Sequence, residues 1–155
     1  MTYEVFSEIR KVICEAYGLE ISEKSGAVLV PDGENPEVRD VQRFNNQFEG
    51  TIMTAPLILI DFGRLEFSAK TKDFYTAPLN IRAYVVSQSL SLSDNQRHDQ
   101  DQKQHDSIVS KLVSLFHLTK LGSCDKSLVL DAIESKMDHS GYMVTAVDFK
   151  TFLKI

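Results

Sequence analysis

A long β-strand is predicted at residues 78–88, where every second residue is apolar. Leu79, Ile81, Ala83 and Val85 should share one face of this strand. The intervening set ends in Tyr84 and Val86, which are also strand formers, so the strand should be central in a sheet. A second run, Ala55–Phe62, is apolar on both faces and predicts an interior strand. The polar connection at 69–77 holds no helix, so the two strands should be antiparallel neighbours.

Apolar residues at helical spacing predict two helices. Residues Thr2–Tyr17 carry them at i, i+4, i+7 and i+11, and Gly18 follows as a C-terminal capping residue. The polar connection at 87–106 leads into a second helix, whose wide apolar stripe begins at Ile108. We expect Gly122 to close that helix.

Residues 19–50 are less regular and predict an arm or an edge strand. A short strand is expected at Ala27–Val30, followed by turns, and an edge strand or extended segment at Glu37–Phe44. The run Arg43–Phe48 places two aromatic residues around polar amides. We interpret it as a loop pinned by two buried rings, with an exposed contact surface as the alternative.

The last thirty residues predict a β-hairpin. Residues Val129–Met137 alternate, Asp138–Gly141 supplies turn-forming residues, and Tyr142–Leu153 is rich in strand formers. A helix at Ser127–Met137 is the alternative, but a turn and a second strand follow directly and favour the hairpin. In the first strand, Val129, Asp131, Ile133, Ser135 and Met137 should share one face.

Together these elements predict an α+β fold in one domain, residues 1–155. We expect a single antiparallel or mixed sheet of about four main strands with two helices on one face, in the order α-β-β-α-β-β. Length and apolar content suffice for one core without metal ions or disulfides. The two cysteines, Cys14 and Cys124, cannot form a disulfide framework, and Cys14 fits a buried helical position.

Charge and hydropathy exclude several classes of protein. The net charge of −5 comes from residues 1–50, which hold ten acidic and five basic side chains, whereas the remainder is neutral. The sequence has no basic patch, and we therefore expect no sequence-specific binding of nucleic acid. The N-terminus lacks the pattern of a signal peptide, and the longest apolar run, 55–60, is too short to span a membrane.

One cluster could in principle bind a metal ion: Asp94, His98, Asp101 and His105. Their spacings of 4, 3 and 4 place them on one helix face, and imidazole and carboxylate groups suit divalent transition metals. The simpler interpretation is a solvated, acidic start of a helix. No H-E-x-x-H motif accompanies the cluster. We therefore predict that the chain has no metal site.

Other candidate groups also have simpler interpretations. Ser123, Cys124 and Asp125 follow a helix and have no histidine at a motif spacing. Asp61 and Asp148 could pair as carboxylates but fit outward positions on half-buried strands. The remaining histidines should pack at a sheet edge (His117) or lie exposed in a turn (His139). We predict no catalytic residues, no cofactor and no enzymatic activity.

The chain resembles tail-terminator and tail-completion proteins of long-tailed bacteriophages, including uncharacterised prophage members. The resemblance lies in the order of elements and in five stretches: Arg43–Phe48, Ala55–Phe62, Leu79–Val86, the polar run into the second helix, and Tyr142–Phe152. It implies a structural subunit of a homo-oligomeric ring, often a hexamer, that caps the tail tube and joins it to the head. The implied partners are tail-tube and head-completion proteins, with DNA passing through the ring.

The resemblance also implies a location in the virion, after assembly in the bacterial cytoplasm. Contacts are expected at 63–77, 87–104 and Asp138–Gly141, because long polar loops on a rigid sheet often carry recognition. The acidic first third could face the DNA channel. Two alternatives stay open: a small non-enzymatic binding or adaptor domain, and a metal-dependent enzyme.

Overall fold

The computed structural model describes residues 2–45, 54–71, 74–88, 95–137 and 142–154, of which 68–71, 74–76, 95–98 and 136–137 are described as backbone alone. These residues form α1 (Thr2–Tyr17), β1 (Glu20–Ile21), β2 (Val28–Leu29), β3 (Asp40–Arg43), β4 (Leu57–Phe62), β5 (Ser68–Thr71), β6 (Phe74–Thr76), β7 (Pro78–Gln88), α2 (Asn95–Phe116), β8 (Val129–Met137) and β9 (Tyr142–Phe152). The fold is α+β, as predicted.

The central sheet of the described chain has the strand order β3-β4-β7-β9-β8. Strand β3 runs parallel to β4, and the other neighbouring pairs are antiparallel, so the sheet is mixed. The predicted antiparallel pairing of β4 with β7 is confirmed, with Ile60 opposite Ala83. The predicted edge strand near Val41 is also confirmed as β3, and the C-terminal hairpin as β8 and β9.

Both helices pack against one face of this sheet, as predicted. The main core combines Ile9 and Ile13 of α1 with Leu112 and Phe116 of α2, all buried against strand residues such as Ile81. Helix α1 ends where predicted, because Gly18 takes a φ of 69°, a conformation that glycine adopts without steric strain. The amphipathic stripes of the two helices thus determine which sheet face carries the core.

The opposite face of the sheet carries a second, smaller apolar cluster. It contains Leu57, Leu59, Tyr84, Val86, Val144 and Ala146, all buried. The half-buried Phe44 and Tyr142 pack against it, and the rings of Phe44 and Tyr84 lie 4.9 Å apart. This cluster explains why β4 is apolar on both faces. Phe48, the second ring expected near Phe44, lies outside the described residues.

Two local predictions are wrong, namely the end of α2 and the strict alternation of β8. The 69–77 connection has no helix among its described residues, as predicted, and β5 and β6 form an antiparallel hairpin there. Helix α2 ends at Phe116 rather than Gly122, since Leu118 turns the chain with a φ of 63°. Strand β8 does not alternate strictly, because a register shift between Leu130 and Ala132 turns Leu130 towards the core.

Candidate interaction surface

The outer edge of β8 is covered only at its beginning by the described residues. The amide of Leu118 donates to the carbonyl of Leu128 at 2.7 Å, and the amide of Leu128 donates to the carbonyl of Thr119 at 2.8 Å. The amide of Leu130 donates to Nδ1 of His117 at 3.0 Å. His117 therefore lies at the sheet edge, as predicted, although its side chain is exposed. Beyond Leu130, no strand of the described chain pairs with this edge.

Two apolar side chains lie on this open strand. Val129 is 47% exposed and Ile133 is 50% exposed. Ile133 stands opposite the buried Val147 of β9, and therefore on the same side of the sheet as the helices. The main contacts of α2 with the described strands fall on β7 and β9. An open edge next to half-exposed apolar side chains is typical of a surface that pairs with another chain.

Charged residues line the face of the central sheet that points away from the two helices. Arg82 of β7 donates to Asp148 of β9 through two nitrogens, at 2.7 and 2.9 Å. Asp61 of β4 stands opposite Arg82 in the strand register, and Lys150 lies 3.4 Å from Asp131. Together they border a depression of about 360 Å³. The predicted outward positions of Asp61 and Asp148 are thus confirmed, and the strand register places Arg82 between these two aspartates.

His105 of α2 is buried at the place where the helix crosses β7 and β9. Its Nδ1 lies 2.7 Å from Oγ of Ser87, and its Nε2 lies 2.8 Å from Oγ1 of Thr145. Burial lowers the pKa of His105, because a charged imidazolium would lose its hydration, while the nearby Asp106 opposes the shift. His105 therefore connects the helix to two neighbouring strands.

Of the four residues considered as metal ligands, the structure describes the side chains of Asp101 and His105. Both nitrogens of His105 are bound to hydroxyl groups, and Asp101 is half-buried on the same helix. Asp94 and the side chain of His98 lie outside the description, as does His139. Among the described residues, no group of three potential metal ligands occurs. The engaged imidazole of His105 argues directly against metal coordination by this cluster.

The Ser123–Asp125 segment is structural. Cys124 is fully buried, and burial raises the pKa of its thiol, which is the opposite of what a nucleophile needs. The amides of Gly122 and Ser123 donate to the carboxylate of Glu8 in α1, at 2.7 and 3.0 Å. Cys14 is also buried, as predicted, and its thiol pKa is raised to about 11.

Sequence reasoning missed the role of His105, although its position contained a signal. His105 precedes Ile108 by three residues and Leu112 by seven, so it lies on the apolar stripe of α2. A polar residue on such a stripe is expected to face the core and to have hydrogen-bond partners there. The spacing of four residues between Asp101 and His105 was interpreted as a possible metal site, whereas it places both side chains on the helix face that turns towards the sheet.

Comparisons with known proteins give little further information. No family model matches the chain, and no curated protein matches it. The solved structures that align with it include a chain from an assembly titled "Virion of native gene transfer agent (GTA) particle". That alignment has a TM-score of 0.47 and 8% sequence identity, and it covers 73% of this chain and 77% of the other. A likeness at this level carries no conclusion. No helix in the described ranges has the length and apolar content needed to cross a membrane.

Proposed function

We propose that this protein is a non-enzymatic virion-assembly subunit, specifically a tail-terminator or tail-completion protein at the head–tail junction. It would form a homo-oligomeric ring, such as a hexamer, that binds tail-tube and head-completion proteins and lets DNA pass. It would act in the virion after assembly in the bacterial cytoplasm. The proposal starts from the sequence resemblance, since the structural neighbour from a virion particle is too distant to add weight.

The observation that carries the proposal is the open edge of β8. This strand has nine residues, and within the described part of the chain its outer backbone groups bond to residues 117–119 as far as Leu130 and to no strand beyond it. Unpaired strand edges form backbone hydrogen bonds with other chains readily. Ile133, beside the open edge, adds apolar surface that a neighbouring subunit would bury.

The first test is the mass of the purified protein in solution. We expect size-exclusion chromatography with light scattering, over a wide range of concentrations, to show a discrete oligomer. Negative-stain images should show a closed ring with a central opening wide enough for duplex DNA. A monomer at every concentration that also fails to bind purified tail tubes would overturn the proposal and favour the adaptor-domain alternative.

A variant tests whether β8 forms the contact. Ile133→Lys places a charge where a neighbouring subunit would have to bury it, so the oligomer should dissociate or fail to cap tail tubes. Leu29→Lys is the matched control, because Leu29 is exposed to a similar extent, 48%, but lies on the β1–β2 hairpin. Both variants should keep the circular-dichroism spectrum of the native protein. Loss of assembly in Leu29→Lys alone would place the interface elsewhere.

A further inference from the structure

The first half of α2 contains no apolar side chain. Residues 95–107 read Asn-Gln-Arg-His-Asp-Gln-Asp-Gln-Lys-Gln-His-Asp-Ser, and the apolar stripe begins only at Ile108. At 1.5 Å per residue, this polar half is about 20 Å long. A helix that is polar on every side cannot be held on a sheet by hydrophobic burial. Its attachment must come from polar contacts.

Among residues 99–107, His105 is the one buried side chain, with 5% exposure. Its two ring nitrogens reach Ser87 on β7 and Thr145 on β9, which are neighbouring strands. Oγ1 of Thr145 also lies 3.5 Å from Oγ of Ser135 on β8. The second half of α2 is attached quite differently, since Ile108, Leu112 and Phe116 are buried in the main core.

Clefts of about 310 and 160 Å³ flank His105 on its two sides. The first is lined by Gln102, Asp106, Ser135, Met143, Val144 and Thr145. The second is lined by Ala55, Pro56, Ser87, Gln88, Asp101 and Gln104. The charged groups among these lining residues other than His105 are Asp101 and Asp106, and both belong to α2.

We infer that residues 95–107 form a detachable segment of α2, latched to the sheet by the Ser87–His105–Thr145 bridge while the second half of the helix stays in the core. Releasing the latch would open both clefts and expose the ends of β7 and β9 without unfolding the protein. The segment is thus a conformational device that could change the shape of this end of the molecule. The inference does not depend on ring formation.

Hydrogen exchange measured by mass spectrometry on the full chain at pH 7.5 tests this. In His105→Ala, amide exchange in 99–107 should accelerate at least about tenfold, because both hydrogen bonds are lost. Exchange in 108–116 should change by less than about twofold, since the hydrophobic contacts there remain. The control is Gln102→Ala, an exposed residue of the same half of the helix, which should leave both segments within about twofold of the native protein.

Two milder variants guard against a histidine variant that does not fold. Thr145→Val and Ser87→Ala each remove one hydroxyl partner and should accelerate exchange in 99–107 by about three- to tenfold, again without affecting 108–116. Equal acceleration in both halves of α2 would show that the helix opens as one unit and would overturn the inference. Unchanged exchange in 99–107 in all three variants would also overturn it.

Discussion

Arg82 and Asp148 face each other on neighbouring strands, β7 and β9, and form a two-point ion pair on the outer face of the sheet. The Nε–Oδ1 and Nη2–Oδ2 distances are 2.7 and 2.9 Å. Hydrogen bonding to Asp148 is the main cause that raises the pKa of Arg82 above its already high ordinary value. This geometry links the two longest strands of the sheet in one register.

We expect Asp148→Asn to lower the free energy of unfolding by about 1 kcal/mol, because the guanidinium group of Arg82 loses its charged acceptor. The effect stays modest since both side chains are partly exposed. Chemical denaturation at low and at high salt measures it, and the loss should shrink at high salt. Asp61→Asn is the matched control, because Asp61 also stands opposite Arg82. A larger loss of stability in Asp61→Asn than in Asp148→Asn would contradict the assignment of Asp148 as the main partner of Arg82.

The fold was largely predictable because its main elements have strong periodicity. The two central strands were predicted from the alternation at Leu79–Val85 and from the run ending at Phe62 that is apolar on both faces. Helix α1 was predicted from the apolar residues at helical spacing that begin at Val5. The turn residues after Met137 allowed the hairpin to be preferred over a helix. The prediction of a single domain over residues 1–155 is not tested by these observations and stays a prediction.

The errors have local physical causes. Leu118 ends α2 in a backbone conformation that sequence rules assign to glycine or asparagine, so Gly122 was chosen instead. The bulge at Asp131 shifts the faces of β8 by one residue, which a strict period of two cannot represent. The His105 bridge depends on Ser87 and Thr145, which are 18 and 40 residues away, and no local pattern predicts such partners.

Leu118 offers a test of backbone strain. A non-glycine residue in the left-handed region is less stable by roughly 1–2 kcal/mol, and the side chain of Leu118 is 67% exposed, so little packing would be lost on substitution. We expect Leu118→Asn to raise the free energy of unfolding by about 0.5–1 kcal/mol. Leu118→Val should lower it, because a β-branched residue fits this conformation worse. Thermal unfolding of the native protein and the two variants measures the order, and equal stabilities of the three would show that the turn is unstrained.

The contact of Glu8 with the turn after α2 should contribute to stability. Its two carboxylate oxygens accept the amides of Gly122 and Ser123, so Glu8→Gln retains one acceptor and loses the other. We expect a loss of about 1 kcal/mol in chemical denaturation. Glu15→Gln, on the exposed side of α1, should change stability by less than about 0.5 kcal/mol. Equal losses of stability in the two variants would indicate that the change in net charge, and not the contact of Glu8, is the cause.

The two thiols should be inert in the folded protein. Cys14 is 2% exposed and Cys124 is fully buried, and burial raises the pKa of both, to about 11 for Cys14. At pH 8 a thiol reagent such as DTNB should react with neither thiol in native protein over minutes and with both in denaturant. Rapid reaction of one thiol in native protein would mean that its segment of the core opens readily.

Stability should fall on acidification in a way that depends on His105. Burial lowers the pKa of His105 in the folded state below the value near 6.5 of an unfolded chain, so the unfolded state binds protons first as the pH falls. The contribution of His105 to the free energy of unfolding is therefore complete above pH 6.5, and it is lost as the pH falls through the folded-state pKa. Between pH 7.5 and 5.5, the melting temperature should fall more steeply for the native protein than for His105→Gln. The other three histidines are common to both proteins, so the difference in slope reports on His105. Equal slopes would show that His105 is protonated in the folded state as readily as in the unfolded chain.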